Sequence, residues 1–254
     1  MKKELVVPEG LEGPKNATWT FTLSADDGVP MPEKVSYDVE ANATVTFGEI
    51  KYTEADAGKE YTYTVTESGT VPGVENDATS KKTVTVFITD DGAGTLTVAV
   101  DSTEDEPLTF TNTYSAKPVI VDPPVRKIIE NNDELYNNGK FTFTIESTSA
   151  PEGVEAPMPK NTSIKNTEEY ELEDRIEFYE FGEIEFTVPG VYEYTIKESG
   201  SVLGVVNDPK AEEGKVITFT VTDDGEGNLV VSPTTDEVEF SFTNTYEVTD
   251  IQVS

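Results

Sequence analysis

The chain has 254 residues, which suits two domains of ordinary size, and it carries 50 acidic against 18 basic residues for a formal net charge of -32. It contains no cysteine and no histidine, which excludes disulfides, thiol and histidine catalysis and the commonest zinc ligands. The charge makes nucleic acid and anionic membranes poor partners, and no apolar stretch is long enough to span a bilayer. In chain order, short β-branched and aromatic runs are divided by clusters of Gly, Pro, Asn and Asp. After an opening strand pattern around Lys3, Leu5 and Val7, they predict strands near 19–24, 35–39, 43–52, 60–67, 82–89, 95–101 and 107–114. A second set follows near 141–146, 176–186, 191–198, 215–222, 228–232 and 238–246. No segment shows a convincing amphipathic helical period. The acidic residues are spread along the chain and read as a solvated surface. Met1-Lys2-Lys3 runs straight into the strand pattern, so no signal peptide is expected and the chain reads as a piece of something longer.

The second half repeats the first in order. Thr20-Phe21-Thr22-Leu23 returns as Thr142-Phe143-Thr144-Ile145, and Phe47-Gly48-Glu49-Ile50 returns unchanged as Phe181-Gly182-Glu183-Ile184. Asn76-Asp77 returns as Asn207-Asp208, and Thr89-Asp90-Asp91-Gly92 as Thr222-Asp223-Asp224-Gly225. The period of roughly 120 to 135 residues is that of a domain, too long for a solenoid unit. Two homologous domains are therefore expected, at 1–116 and 117–254, with 117–124 as a linker and 247–254 as a tail. The prolines of the Ser115–Pro124 stretch favour an extended, fairly stiff connection, so two domains end to end would make a rod. Seven or so antiparallel strands per repeat give an all-β fold of two tandem immunoglobulin-like β-sandwiches.

Strand alternation places three polar residues per repeat on apolar faces. In Tyr61-Thr62-Tyr63-Thr64-Val65-Thr66-Glu67, the residues Tyr61, Tyr63, Val65 and Glu67 share a side. Asn112 shares one with Leu108, Phe110 and Tyr114, and Lys3 with Leu5 and Val7. The second repeat does the same: Glu198 aligns with Tyr192, Tyr194 and Ile196, Asn244 with Phe240, Phe242 and Tyr246, and Lys127 with Val125 and Ile129. Charged side chains seldom point where these do. Lys2 is a neighbour on the opposite face and stays open as the alternative to Lys3.

The motifs Tyr-x-Tyr-x-Val/Ile-x-Glu and Phe-x-Asn-x-Tyr, with a Lys on the first strand, resemble the isopeptide-linkage domains of Gram-positive backbone pilins and surface adhesins, of the CnaB/pilin type. The opening Lys3-Glu4-Leu5-Val6-Val7-Pro8-Glu9-Gly10 also looks like the start of such a domain, and the resemblance covers nearly the whole chain, twice. It implies a covalent bond from Lys3 to Asn112 promoted by Glu67, and from Lys127 to Asn244 promoted by Glu198. The chemistry is sensible. Burial favours the neutral, nucleophilic amine of a Lys and the protonated form of a carboxylic acid. Such an acid can polarise an Asn carbonyl and relay protons while ammonia leaves, and folding supplies the proximity. The reaction occurs once per domain, so no enzyme with turnover is implied. The resemblance further implies a structural segment of a pilus or adhesin stalk, extracellular and attached to the cell wall, with neighbouring domains of the same surface protein as partners and no cofactor.

A second reading is an adhesive module whose loops bind a host or matrix ligand. The two Asp-Asp-Gly segments lack the spaced ligands of a calcium loop and read as hairpin turns, so no metal is expected. The single Trp, Trp19, sits at core parity beside Phe21, which argues against a carbohydrate platform, and no pair of acids has the context of a glycoside hydrolase. No sortase sorting signal is seen, and Lys117-Pro118 does not match the lysine motif of polymerising pilins.

Overall fold

The structure, a computed structural model, describes residues 1–101, 106–131, 140–166, 177–237 and 240–248. The chain divides into two compact units, the first of Met1–Ala116 with Asp224–Asn228 and the second of Lys117–Asp223 and Leu229–Ser254. Among the described residues, helix is limited to short 3-10 turns at Glu54–Asp56 and Thr235–Glu237, and none is long and apolar enough to cross a membrane.

The first unit contains β1 (Lys2–Val6), β2 (Thr18–Ser24), β3 (Ser36–Glu40), β4 (Glu60–Ser68), β5 (Val74–Glu75), β6 (Lys81–Asp90), β7 (Leu96–Val100) and β8 (Thr109–Tyr114). One sheet has the order β3-β2-β4-β6-β7 and the other β1-β8-β5. Alternation explains the sandwich: in Thr18-Trp19-Thr20-Phe21-Thr22-Leu23, the Trp, Phe and Leu are buried while the threonines face outward or sit half-buried. Phe21, Leu23, Val39, Tyr63, Val65, Val86 and Ile88 from the larger sheet meet Phe110 from the smaller one in one core, with the Phe21 and Phe110 rings 4.9 Å apart. Each such side chain stabilises the unit by about 1.5–3 kcal/mol through burial.

The second unit contains β9 (Val119–Val121), β10 (Pro124–Glu130), β11 (Phe141–Ser149), β12 (Ser163–Lys165), β13 (Glu177–Glu180), β14 (Ile184–Phe186), β15 (Gly190–Gly200), β16 (Val205–Val206), β17 (Lys215–Asp223), β18 (Leu229–Ser232) and β19 (Phe240–Tyr246). Its sheets run β12-β11-β15-β17-β18 and β13-β10-β19-β16, with β9 and β14 forming a separate antiparallel pair. The chain is thus all-β, with two tandem immunoglobulin-like sandwiches.

Two expected strands differ from the structure for one reason. The 43–52 segment forms only an isolated bridge, Thr44 to Lys2, and the 176–186 segment is split into β13 and β14. Both contain Phe-Gly-Glu-Ile, and its glycine takes positive φ, +74° at Gly48 and +96° at Gly182, which strand pairing does not accommodate. The Ser115–Pro124 stretch, read as linker, carries β9, which pairs with β14. The Asp-Asp-Gly segments are tight turns. Asp91 Oδ1 accepts the amides of Thr95 and Ala93, while Asp224 accepts the side-chain amide of Asn228 at Oδ2 and the backbone amides of Asn228 and Glu226 at Oδ1, and these bonds hold both carboxyl groups below the usual carboxylate range.

Candidate functional site

In each unit a strand near the start lies side by side and parallel with the last strand, β1 with β8 in the first and β10 with β19 in the second. In β1–β8, Lys3 sits opposite Phe110 and Leu5 opposite Asn112. In β10–β19 the register is the same, with Lys127 opposite Phe242 and Ile129 opposite Asn244. Because side chains alternate, Lys3 and Asn112 share the inner face, as do Lys127 and Asn244. Glu67 on β4 and Glu198 on β15 approach from the facing sheet. None of these six residues is more than 5% exposed.

In the first unit Lys3 Nζ stands 2.8 Å from Glu67 Oε1, and in the second Lys127 Nζ stands 2.6 Å from Glu198 Oε2. Each amine also donates to a backbone carbonyl of the last strand, Phe110 or Phe242, at 3.3 Å. An aromatic ring lies against each amine, Trp19 at 4.5 Å and Phe141 at 4.4 Å from the ring centroid. Lys2, by contrast, is half exposed and faces Glu4 at 3.8 Å, outside the core.

A buried ion pair is a poor stabiliser, since the cost of taking both charges out of water can exceed their attraction. Here the two carboxylates accept no further well-formed hydrogen bond from the described residues, so the usual compensation is thin. Burial lowers the Lys3 pKa against the opposing pull of Glu67. It brings Lys127 down to about 8, again with Glu198 working the other way. Burial thus favours the neutral amine in both units, held beside a carboxyl group and on the same face as a carboxamide.

The carboxamides are fixed by residues that alternation did not point to. Asn112 Oδ1 accepts the backbone amide of Asp77 at 2.7 Å, and its Nδ2 donates to Asn76 Oδ1 at 3.0 Å. Asn244 Oδ1 accepts the amide of Asp208 at 2.8 Å, and its Nδ2 donates to Asn207 Oδ1 at 3.3 Å. The Asp77 carboxylate is tied to Lys82 Nζ at 2.7 Å and to the Thr111 amide at 2.9 Å, and these bonds bring its pKa down to about 2 against the opposing effect of burial. Asp208 is tied in the same way to Lys215 and Thr243, both at 2.9 Å. The one signal for this loop in the sequence is the Asn-Asp dipeptide that both halves repeat.

The family model described as the Spy0128-like isopeptide containing domain, FctA, matches residues 1–115 and again 123–247. Among solved structures, the chain is similar to the major pilin of Streptococcus pyogenes at 18% identity, covering 97% of each chain with a TM-score of 0.35. It is similar to the T-13 major pilin of that species at 14% identity, covering 97% of this chain and 96% of the other with a TM-score of 0.31. It is also similar to GBS52, the minor pilin of Streptococcus agalactiae, at 11% identity, covering 100% of this chain and 99% of the other with a TM-score of 0.28. No curated protein matches. Since the family model takes in nearly the whole chain in two copies, this protein belongs to the Spy0128-like isopeptide-containing domain family.

Proposed function

We propose that each unit closes an intramolecular isopeptide bond, Lys3 to Asn112 and Lys127 to Asn244, and that the stapled tandem is a structural segment of a Gram-positive pilus or surface-protein stalk. The observation that carries this reading is the duplicated, fully buried Lys–Glu pair lying on one face with the last-strand Asn. The neutral amine attacks the Asn side-chain carbon. The new bond is Nζ–Cγ, the bond that breaks is Cγ–Nδ2, and the proton shed by the amine passes through the Glu carboxyl group to the departing nitrogen, which leaves as ammonia. No cofactor takes part, and each site acts once.

The product joins β1 to β8 in the first unit and β10 to β19 in the second, and closes a loop of roughly 110 residues, which restricts the unfolded chain by about 4–5 kcal/mol in the chain-entropy account used for disulfides. Load applied at the ends of a unit then falls on a covalent bond. Such a link survives reducing conditions and serves a cysteine-free protein outside the cell, attached to the wall and in line with neighbouring domains. Peptide mapping tests the chemistry. Proteolysis under denaturing conditions is expected to yield branched peptides joining Lys3 to Asn112 and Lys127 to Asn244. Linear peptides alone at all four positions would refute it.

A further inference from the structure

We propose that the Asn-Asp dipeptide of each repeat, Asn76-Asp77 and Asn207-Asp208, is the device that activates and orients the reacting carboxamide. This rests on the isopeptide reading above and assigns to that site residues beyond the Lys, Glu and Asn. The Asp backbone N–H is an oxyanion donor, the Asn side chain fixes the amide plane, and the Asp carboxylate locks the loop that presents both.

The geometry is the same twice. As the amine adds to Cγ, negative charge develops on Oδ1, where the Asp77 N–H at 2.7 Å and the Asp208 N–H at 2.8 Å already point. A fixed backbone donor in a site closed to water stabilises that charge with little reorganisation. The other end of the amide is held because Nδ2 donates to Asn76 or Asn207, so rotation about the Asn side chain is arrested. Asn76 is itself anchored by the indole of Trp19 at 3.0 Å and by its own donation to the Gly69 carbonyl at 2.7 Å, and Asn207 donates to Gly200 at 2.8 Å.

The Asp carboxylates touch none of the reacting atoms and act through position. Asp77 bridges Lys82 of β6 and the Thr111 amide next to Asn112, and Lys82 also donates to the Thr109 carbonyl at 2.5 Å. Asp208 bridges Lys215 of β17 and the Thr243 amide next to Asn244, and Lys215 donates to the Ser241 carbonyl at 2.5 Å. A loop tied at once to the neighbouring strand and to the residue before the reacting Asn cannot drift away from it.

The test uses the full chain with Asn76→Ala, Asp77→Ala, Lys82→Met and the conservative Asp77→Asn, leaving the second unit unchanged as an internal standard. Denatured intact mass is followed over time after purification, while Trp19 emission and the thermal transition report whether the first unit is folded. The expected result is prompt loss of one ammonia from the second unit in every variant. Loss from the first unit is expected to be slowed by about 10²-fold or more in folded Asn76→Ala and Asp77→Ala, less in Lys82→Met, and largely restored in Asp77→Asn. Asn207→Ala should transfer the defect to the second unit. Folded Asn76→Ala and Asp77→Ala that lose both ammonias as promptly as the parent would overturn this assignment while leaving the isopeptide reading intact. A parent chain that loses none would refute that reading itself. If Asp77→Ala does not fold, Asn76→Ala and Asn207→Ala decide the matter in the same way.

Discussion

Glu67 and Glu198 are the residues whose removal separates packing from chemistry. Each faces a single amine, at 2.8 Å and 2.6 Å, and the proposed reaction needs its carboxyl group as a proton relay. Glu198→Gln keeps the size of the side chain and removes the acid. It is expected to leave the second unit unlinked and to raise the denatured mass by about 16 Da over the parent, one retained ammonia of about 17 Da less the roughly 1 Da lost in the substitution itself. A parental linkage pattern in Glu198→Gln would show that the acid is dispensable.

Lys127 gives a second prediction at this scale. Its folded pKa of about 8 lies below the ordinary 10.5 because burial disfavours the charged amine. In a chain that cannot link, Asn244→Ala, the unfolded state therefore binds more protons than the folded one between those two values. Stability contributed by this group is expected to rise with pH across that window, and to be flat below it. Chemical denaturation of Asn244→Ala from pH 7 to 10.5, compared with Lys127→Met/Asn244→Ala, measures the difference. A difference that falls with pH would contradict the assignment.

At the scale of elements, alternation made the longer strands and the core legible. Trp19, Phe21, Leu23, Tyr63, Val65 and Phe110 are buried where period-two reading puts them. The same parity places Lys3, Glu67 and Asn112 inward, and those side chains are buried. What parity could not reveal was the short pairing. β5, β9, β12 and β16 have two or three residues each, too few to carry a period. Nor could it reveal Asp77 and Asp208, since they act on the carboxamides through backbone amides in loops, and a backbone donor leaves no trace in side-chain pattern. The 43–52 and 176–186 segments read as continuous strands because their apolar residues recur, while the glycine that interrupts them is visible only through its φ. Gly182→Ala is expected to lower stability by about 1 kcal/mol, since nothing crowds the added methyl and the penalty is that of φ +96°. Urea denaturation measures it, and an unchanged midpoint would show that the β13–β14 break does not depend on glycine.

At the scale of the whole molecule, the two proposed links would alter what force can do to the chain. Without a bond, pulling a unit open releases a segment of roughly 110 residues, on the order of 350–400 Å when extended. With Lys3 joined to Asn112 and Lys127 to Asn244, those segments lie outside the line of load. Single-molecule extension of the parent is expected to show no release of that size. The Asn112→Ala/Asn244→Ala chain should show two, and parent traces with the same two steps would contradict a load-bearing role.

The central claim is most directly tested by the denatured intact mass of the unaltered chain. Two isopeptide bonds predict a mass about 34 Da below that of the sequence, one ammonia for each unit. The full sequence mass would contradict the account and leave two β-sandwich domains with buried but unreacted Lys–Glu pairs.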